Sequence, residues 1–186
     1  MIKDTIIEIS NNFLNLSKNS VNDIENSADL IIDSIKNGNK IMFCGNGGSA
    51  ADSQHLAAEL IGRYRKNRSP LPGIALSTDT SVITAIGNDF SFEEIFVRQV
   101  EAIGKPGDVL YAISTSGNSS NILRGVKKAN SMKVKTIGIT GETGGELSNI
   151  CDITIKVPAT RPDRIQEMHI AVGQIICEIV EKKFFQ

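Results

Sequence analysis

Apolar residues recur at helical spacing through the first 38 residues of the chain. Ile6, Ile7, Phe13, Leu14 and Leu16 form one run, and Ile24, Ala28, Ile31, Ile32 and Ile35 a second. Asn37-Gly38-Asn39 stops the second helix. The pattern then changes. Residues 40–44 are a short apolar run entering a glycine cluster, as a buried parallel strand would. Helical spacing returns over 49–64, and 73–77 reads as a second strand. Residues 79–86 and 92–103 read as helices, 108–114 as a third strand and 119–131 as a crossover helix. Strands over 135–140 and 153–157 and a long helix over 161–185 complete the chain. Strands alternating with helices predict an α/β fold, a three-layer αβα sandwich around a five-stranded parallel sheet with right-handed crossovers. The expected organisation is one domain over 1–186. Residues 1–38 form an N-terminal helical extension that packs against another subunit, and 39–186 form the α/β core.

In open sheets of this kind ligands bind beyond the carboxyl ends of the strands. Those ends fall at 45–49, 77–79, 114–119 and 140–145, which narrows the site before any motif is considered. The strongest motif is Ser114-Thr115-Ser116-Gly117-Asn118-Ser119, between a strand and a helix. Its four hydroxyls, the turn allowed by Gly117 and the free amides of a helix N-terminus suit a phosphate group. With no lysine in it, this is not a nucleotide-type phosphate loop. A serine-rich turn with a capping serine is the plainer alternative. Gly45-Asn46-Gly47-Gly48-Ser49 follows the first strand and lacks the spacing of a dinucleotide fingerprint. His55 and Glu59, four residues apart, share one helix face, as an exposed polar pair, a zinc pair or an acid–base pair would. Gln166 and Gln174 lie about two turns apart near one face of the last helix, and His169 points towards a neighbouring face; spacing alone assigns them no role.

Composition changes this picture little. About 40% of the 186 residues are apolar and the formal net charge is −1, so nothing argues for nucleic acid. The densest basic stretch, Arg63 to Arg68, reads as a solvated helix end. Three widely spaced cysteines, Cys44, Cys151 and Cys177, are no disulfide framework and suit buried thiols in a reducing cytoplasm. No stretch is long and apolar enough to span a bilayer, and no signal-peptide pattern opens the chain. No membrane partner is expected.

Taken together, Gly45–Asp52, His55, Glu59, Gly62-Arg63-Tyr64, Ala85-Ile86-Gly87-Asn88-Asp89, the serine loop and Arg164-Ile165-Gln166-Glu167-Met168-His169 resemble the phosphoheptose isomerases of the SIS-domain group. The resemblance covers nearly all of the chain from residue 40, and the helical N-terminus fits it. It implies the flavodoxin-like SIS fold. It implies conversion of D-sedoheptulose 7-phosphate to D-glycero-D-manno-heptose 7-phosphate, for ADP- or GDP-heptose destined for lipopolysaccharide or capsule. It also implies a cytoplasmic homotetramer holding one zinc ion per subunit. Carried over by motif, Ser114, Thr115, Ser116 and Ser119 hold the phosphate. Asn46, Gly47, Gly48, Ser49, Asn88 and Asp89 line the sugar, together with Glu59 and Gln166. Zinc falls to His55, Glu59, Gln166 and Gln174, and catalysis to Glu59 and Gln174. One position departs from the family pattern, which has histidine where this chain has Gln174. Glutamine does not titrate near neutral pH, so slow turnover is expected.

A second reading is a non-catalytic SIS protein that binds a sugar phosphate and a replication-initiator-type partner. Such proteins share many of these motifs, but some lack the helix carboxylate that this chain keeps as Glu59. A third, a sugar-phosphate-sensing regulator, would need a DNA-binding domain for which the first 38 residues leave no room.

Overall fold

A computed structural model describes residues 1–185. The sheet has five parallel strands, β1 (Ile41–Gly45), β2 (Gly73–Ala75), β3 (Val109–Ile113), β4 (Lys135–Thr140) and β5 (Ile153–Lys156), in the order β2-β1-β3-β4-β5. β1 and β3 are buried along their whole length, which is why they read as unbroken apolar runs. They pair in register, Gly45 opposite Ile113. The glycine-rich and serine-rich loops therefore leave adjacent strands at the same end of the sheet.

Two apolar cores flank the sheet. On one face, Ile41, Phe43, Tyr111 and Ile139 meet α2 (Val21–Lys36), α3 (Gly48–Ile61) and α7 (Pro162–Phe184). On the other, Met42, Leu110 and Ala112 meet α4 (Thr80–Asp89), α5 (Ile95–Ile103) and α6 (Ser120–Ser131). This is the expected three-layer arrangement. No helix among the described residues is long and apolar enough to cross a membrane.

The structure differs from expectation in four places. The N-terminal helices are not one extension. Ile24, Ala28, Ile31, Ile32 and Ile35 bury α2 in the first core, whereas α1 (Ile2–Asn19) buries Leu16 in it, packs Phe13 against it and leaves Ile6, Ile7 and Leu14 exposed. The expected helix over 92–103 opens with a 3-10 turn, Phe92–Glu94, before α5. The helix expected over 49–64 stops at Ile61. Beyond it the N–H groups of Tyr64, Arg65 and Lys66 all donate to the Glu181 carboxylate of α7 (3.1, 2.9 and 2.8 Å). Finally, the basic stretch is not merely solvated. Arg68 is buried, its Nε 3.1 Å from Glu181 Oε2, and its Nη atoms donate to the carbonyls of Glu59 and Leu60 (2.8 and 2.7 Å). It closes the open C-terminus of α3, where a cation is favoured.

Candidate active site

The serine loop closes on itself. Gly117 takes a positive φ of 66°, and a Cβ there would run into the backbone of Gly144 and Gly145. Ser114 is buried, with its Oγ 3.2 Å from Ser119 Oγ. Ser119 stands at the N-cap of α6, yet its hydroxyl makes no capping bond. The plainer reading, a capping serine, is therefore not what the side chain does. Thr115 is half-buried, and its carbonyl accepts from Gly141 N–H (3.1 Å). Ser116 is exposed, and its Oγ accepts from Asn118 N–H (3.1 Å). The Ser114 and Ser119 hydroxyls thus meet at a helix N-terminus, where the dipole and amides favour an anion.

A residue that spacing did not single out ties this loop to the glycine cluster. Asn121, buried in the first turn of α6, exchanges two hydrogen bonds with Asn46, each 2.8 Å. Its Oδ1 also accepts from Ile122 N–H (2.9 Å). Gly47, at the N-cap of α3, has a φ of 57° and is exposed with Gly48. Ser49 is buried against Gly45, and its N–H donates to the Asn46 carbonyl (3.0 Å), so it supports the turn from beneath.

The opposite wall is the seam between α3 and α7. A Cβ on Gly48 would lie 2.7 Å from Gln166 Nε2, so the Gln166 amide covers the start of α3. Further along, His55 Nε2 lies 3.0 Å from Glu59 Oε1 and 3.5 Å from Gln174 Nε2. His55 is about half exposed (48%) and Glu59 less so (20%), which leaves the cluster open to a ligand. The two ends of the Gln174 amide are interchangeable by a flip. Among the described residues no three His, Cys, Asp or Glu side chains cluster as metal ligands. The donors brought together are one imidazole, one carboxylate and the Gln174 amide, a set that fits a weakly held zinc ion rather than a closed structural centre, whereas the Gln166 amide is seen only over Gly48.

Asn88 and Asp89 stand apart. They lie exposed at the end of α4 and bond to each other (2.8 Å). No hydrogen bond within the described chain links them to either loop or to His55. Asp52, which spacing did not single out, lies one turn before His55. Its Oδ2 is buried without a partner, as is the Tyr111 hydroxyl. Burial pushes the Asp52 carboxyl above its usual range, with His55 pulling it back. The three cysteines are free, and burial pushes the thiols of Cys151 and Cys177 to about 12, so they are inert as nucleophiles. An open cleft of about 480 Å³ lined by Lys133, Lys135 and Asp152 lies at the other end of β4, away from both loops.

The SIS domain family matches residues 6–141. A phosphoheptose isomerase of Akkermansia muciniphila is 50% identical over 184 residues, covering 99% of this chain and 97% of its own. One from Rhodospirillum rubrum is 56% identical over 158 residues, covering 85% and 84%. The solved structure of a phosphoheptose isomerase from Neisseria gonorrhoeae superposes with a TM-score of 0.93 at 40% identity, covering 97% of each chain.

Proposed function

Since the chain belongs to the phosphoheptose isomerases of the SIS-domain family, sugar-phosphate isomerases of heptose biosynthesis, we propose that its substrate is D-sedoheptulose 7-phosphate and its product D-glycero-D-manno-heptose 7-phosphate. The product would feed ADP- or GDP-heptose made for lipopolysaccharide or capsule. One observation carries the reading. The reciprocal Asn46–Asn121 pair clamps the serine loop to the loop that opens α3, and α3 bears His55 and Glu59. An anion on the serine loop thereby has a titratable pair on the neighbouring wall.

In the proposed reaction Ser114, Thr115, Ser116 and Ser119 hold the phosphate, and Asn46, Gly47 and Gly48 face the sugar. Glu59 removes a proton from C1, beside the carbonyl, giving an enediolate, and returns it to C2, while the hydroxyl proton passes from O1 to O2. His55, 3.0 Å from Glu59, orients that carboxylate and shares its charge. Gln174 stands beside His55 and moves no proton. Zinc, one ion per subunit, would be held by His55 and Glu59 with the amide oxygens of Gln166 and Gln174, and when bound supplies polarisation of the sugar oxygens. A carboxylate that ligates a metal is a weaker base, which adds to the slow turnover expected from Gln174. Asn88 and Asp89 remain part of the proposed sugar lining. The assembly is proposed to be a homotetramer in the cytoplasm, the exposed α1 face packing against another subunit.

The test is NMR observation of sedoheptulose 7-phosphate incubated with the protein. The aldose should accumulate, and Glu59→Gln should slow it by at least about 10²-fold. Binding without any turnover, together with specific retention of a replication-initiator protein, would instead favour the non-catalytic reading, which the altered residue 174 keeps open.

A further inference from the structure

The backbone of the serine loop is pinned on both sides of Ser116. Ser114 N–H donates to the Ile139 carbonyl, and Gly117 N–H donates to the Ser114 carbonyl, each at 3.1 Å. The Thr115 carbonyl accepts from Gly141 N–H (3.1 Å) and the Gly117 carbonyl from Leu147 N–H (2.9 Å). Among the described residues the hydrogen bonds of Ser116 itself all run to Asn118. Its Oγ accepts from Asn118 N–H and its carbonyl from Asn118 Nδ2, each at 3.1 Å. The other end of the same amide, Oδ1, accepts from Glu146 N–H (2.9 Å), at the start of the 3-10 turn Glu146–Asn149 that follows β4. Asn118 is exposed, so burial does not hold it in place. Its side chain is anchored at both ends by hydrogen bonds, one to each of two loops.

These bonds decide where a hydroxyl hydrogen can point. A serine hydroxyl has one hydrogen and two lone pairs. Ser114 Oγ and Ser119 Oγ, 3.2 Å apart, spend one of their two hydrogens on each other. Ser116 Oγ spends a lone pair instead, on the Asn118 amide, so its hydrogen turns away from that amide. The loop holds no lysine or arginine, so hydroxyls and amides alone must answer an anion there. A hydroxyl turned the other way would offer the anion a lone pair.

We propose that Asn118 is a positioning residue for the phosphate: by bridging Ser116 and Glu146 it holds its own N–H against Ser116 Oγ and so keeps the Ser116 hydroxyl a donor to the ligand. This rests on the proposed reading of the serine loop as the phosphate site. The effect of Asn118 reaches the ligand through Ser116. Without the side chain, residue 118 loses both anchors and the Ser116 hydroxyl turns freely.

The test is a double-mutant cycle on the full-length protein, read by calorimetry with inorganic phosphate and with sedoheptulose 7-phosphate. Asn118→Ala and Ser116→Ala should each weaken both ligands about tenfold, the scale of one hydrogen bond to a charged group. The double variant should bind within about twofold of the weaker single one, because both changes remove the same donor. Losses that multiply, to about a hundredfold in the double variant, overturn the proposal, since they show Asn118 acting apart from Ser116. Unchanged binding in Asn118→Ala, or a loss confined to the sugar phosphate, overturns it as well. Both residues are exposed, so the urea midpoints of the variants should stay near wild type. Should Asn118→Ala not fold, Asn118→Ser takes its place in the cycle, its side chain being too short to reach both Ser116 and Glu146. Wild-type protein that binds neither ligand refutes the phosphate reading itself. Ser116→Ala that binds as wild type does refutes the part of Ser116 and the proposal with it, whereas a failure confined to the Asn118 variants refutes only the role of Asn118.

Discussion

At the scale of single residues, two amide side chains define this site. Asn121 occupies the most demanding position. It accepts twice, donates once and is buried. Asn121→Ala leaves both polar ends of Asn46 and the Ile122 N–H without partners. It should destabilise the protein by about 2 kcal/mol in urea denaturation and weaken sugar phosphate binding. Gln174 is the other. If the missing titratable group limits turnover, Gln174→His should raise kcat by about 10- to 100-fold with little change in KM, since general acid–base help is worth about 10²–10⁴-fold. An unchanged kcat would place the limit elsewhere. The serine loop, His55 and Glu59 were legible from residue type and spacing because their chemistry is local. Asn121, Asp52 and His169 were not. Asn121 draws its meaning from Asn46 on another element, and Asp52 and His169 from burial without a hydrogen-bond partner, none of which leaves a periodic signal in the sequence.

At the scale of elements, α7 supports α3. Burial by itself would raise the Glu181 carboxyl, but three backbone amides and Arg68 outweigh it and hold the group below its usual range. Glu181→Gln leaves the Arg68 guanidinium buried and unpaired. It should cost about 3 kcal/mol, measured by chemical denaturation, and should loosen the end of α3 that bears Glu59. This contact also explains a misplaced boundary. Apolar spacing carries on to Tyr64, but Glu181, more than a hundred residues away, captures the Tyr64–Lys66 amides and halts the helix at Ile61. Acid stability follows from the same helix. The unfolded chain takes up a proton at His169 near pH 6.5, while the folded chain resists until about 4. Stability is therefore full above 6.5 and is lost as the pH falls from 6.5 towards 4, by about 3 kcal/mol. Urea melts between pH 8 and 4.5 should show that limb in wild type and not in His169→Gln. Glu181 adds a later loss as the pH drops through its depressed pKa.

At the scale of the whole molecule, the sheet was legible because strands covered on both faces read as apolar runs and their loops gather at one end. The place of α2 was not, because a helix with one apolar face looks the same whether its own chain or another copy covers it. The structure shows that the cover is internal. Ile24, Ile31 and Ile35 of α2 and Leu56 and Leu60 of α3 share one core with Val172, Ile176 and Val180 of α7. The second and third helices, both in that layer, are thus finished by the last. During synthesis the chain leaves the ribosome with α2 and α3 already made and their cover still to come, so the nascent protein presents bare apolar surface until its final turns emerge. A chain ended at residue 161 should accordingly precipitate on expression rather than accumulate as a soluble, inactive protein, and recovery of a soluble, folded fragment would show that the layer closes without α7.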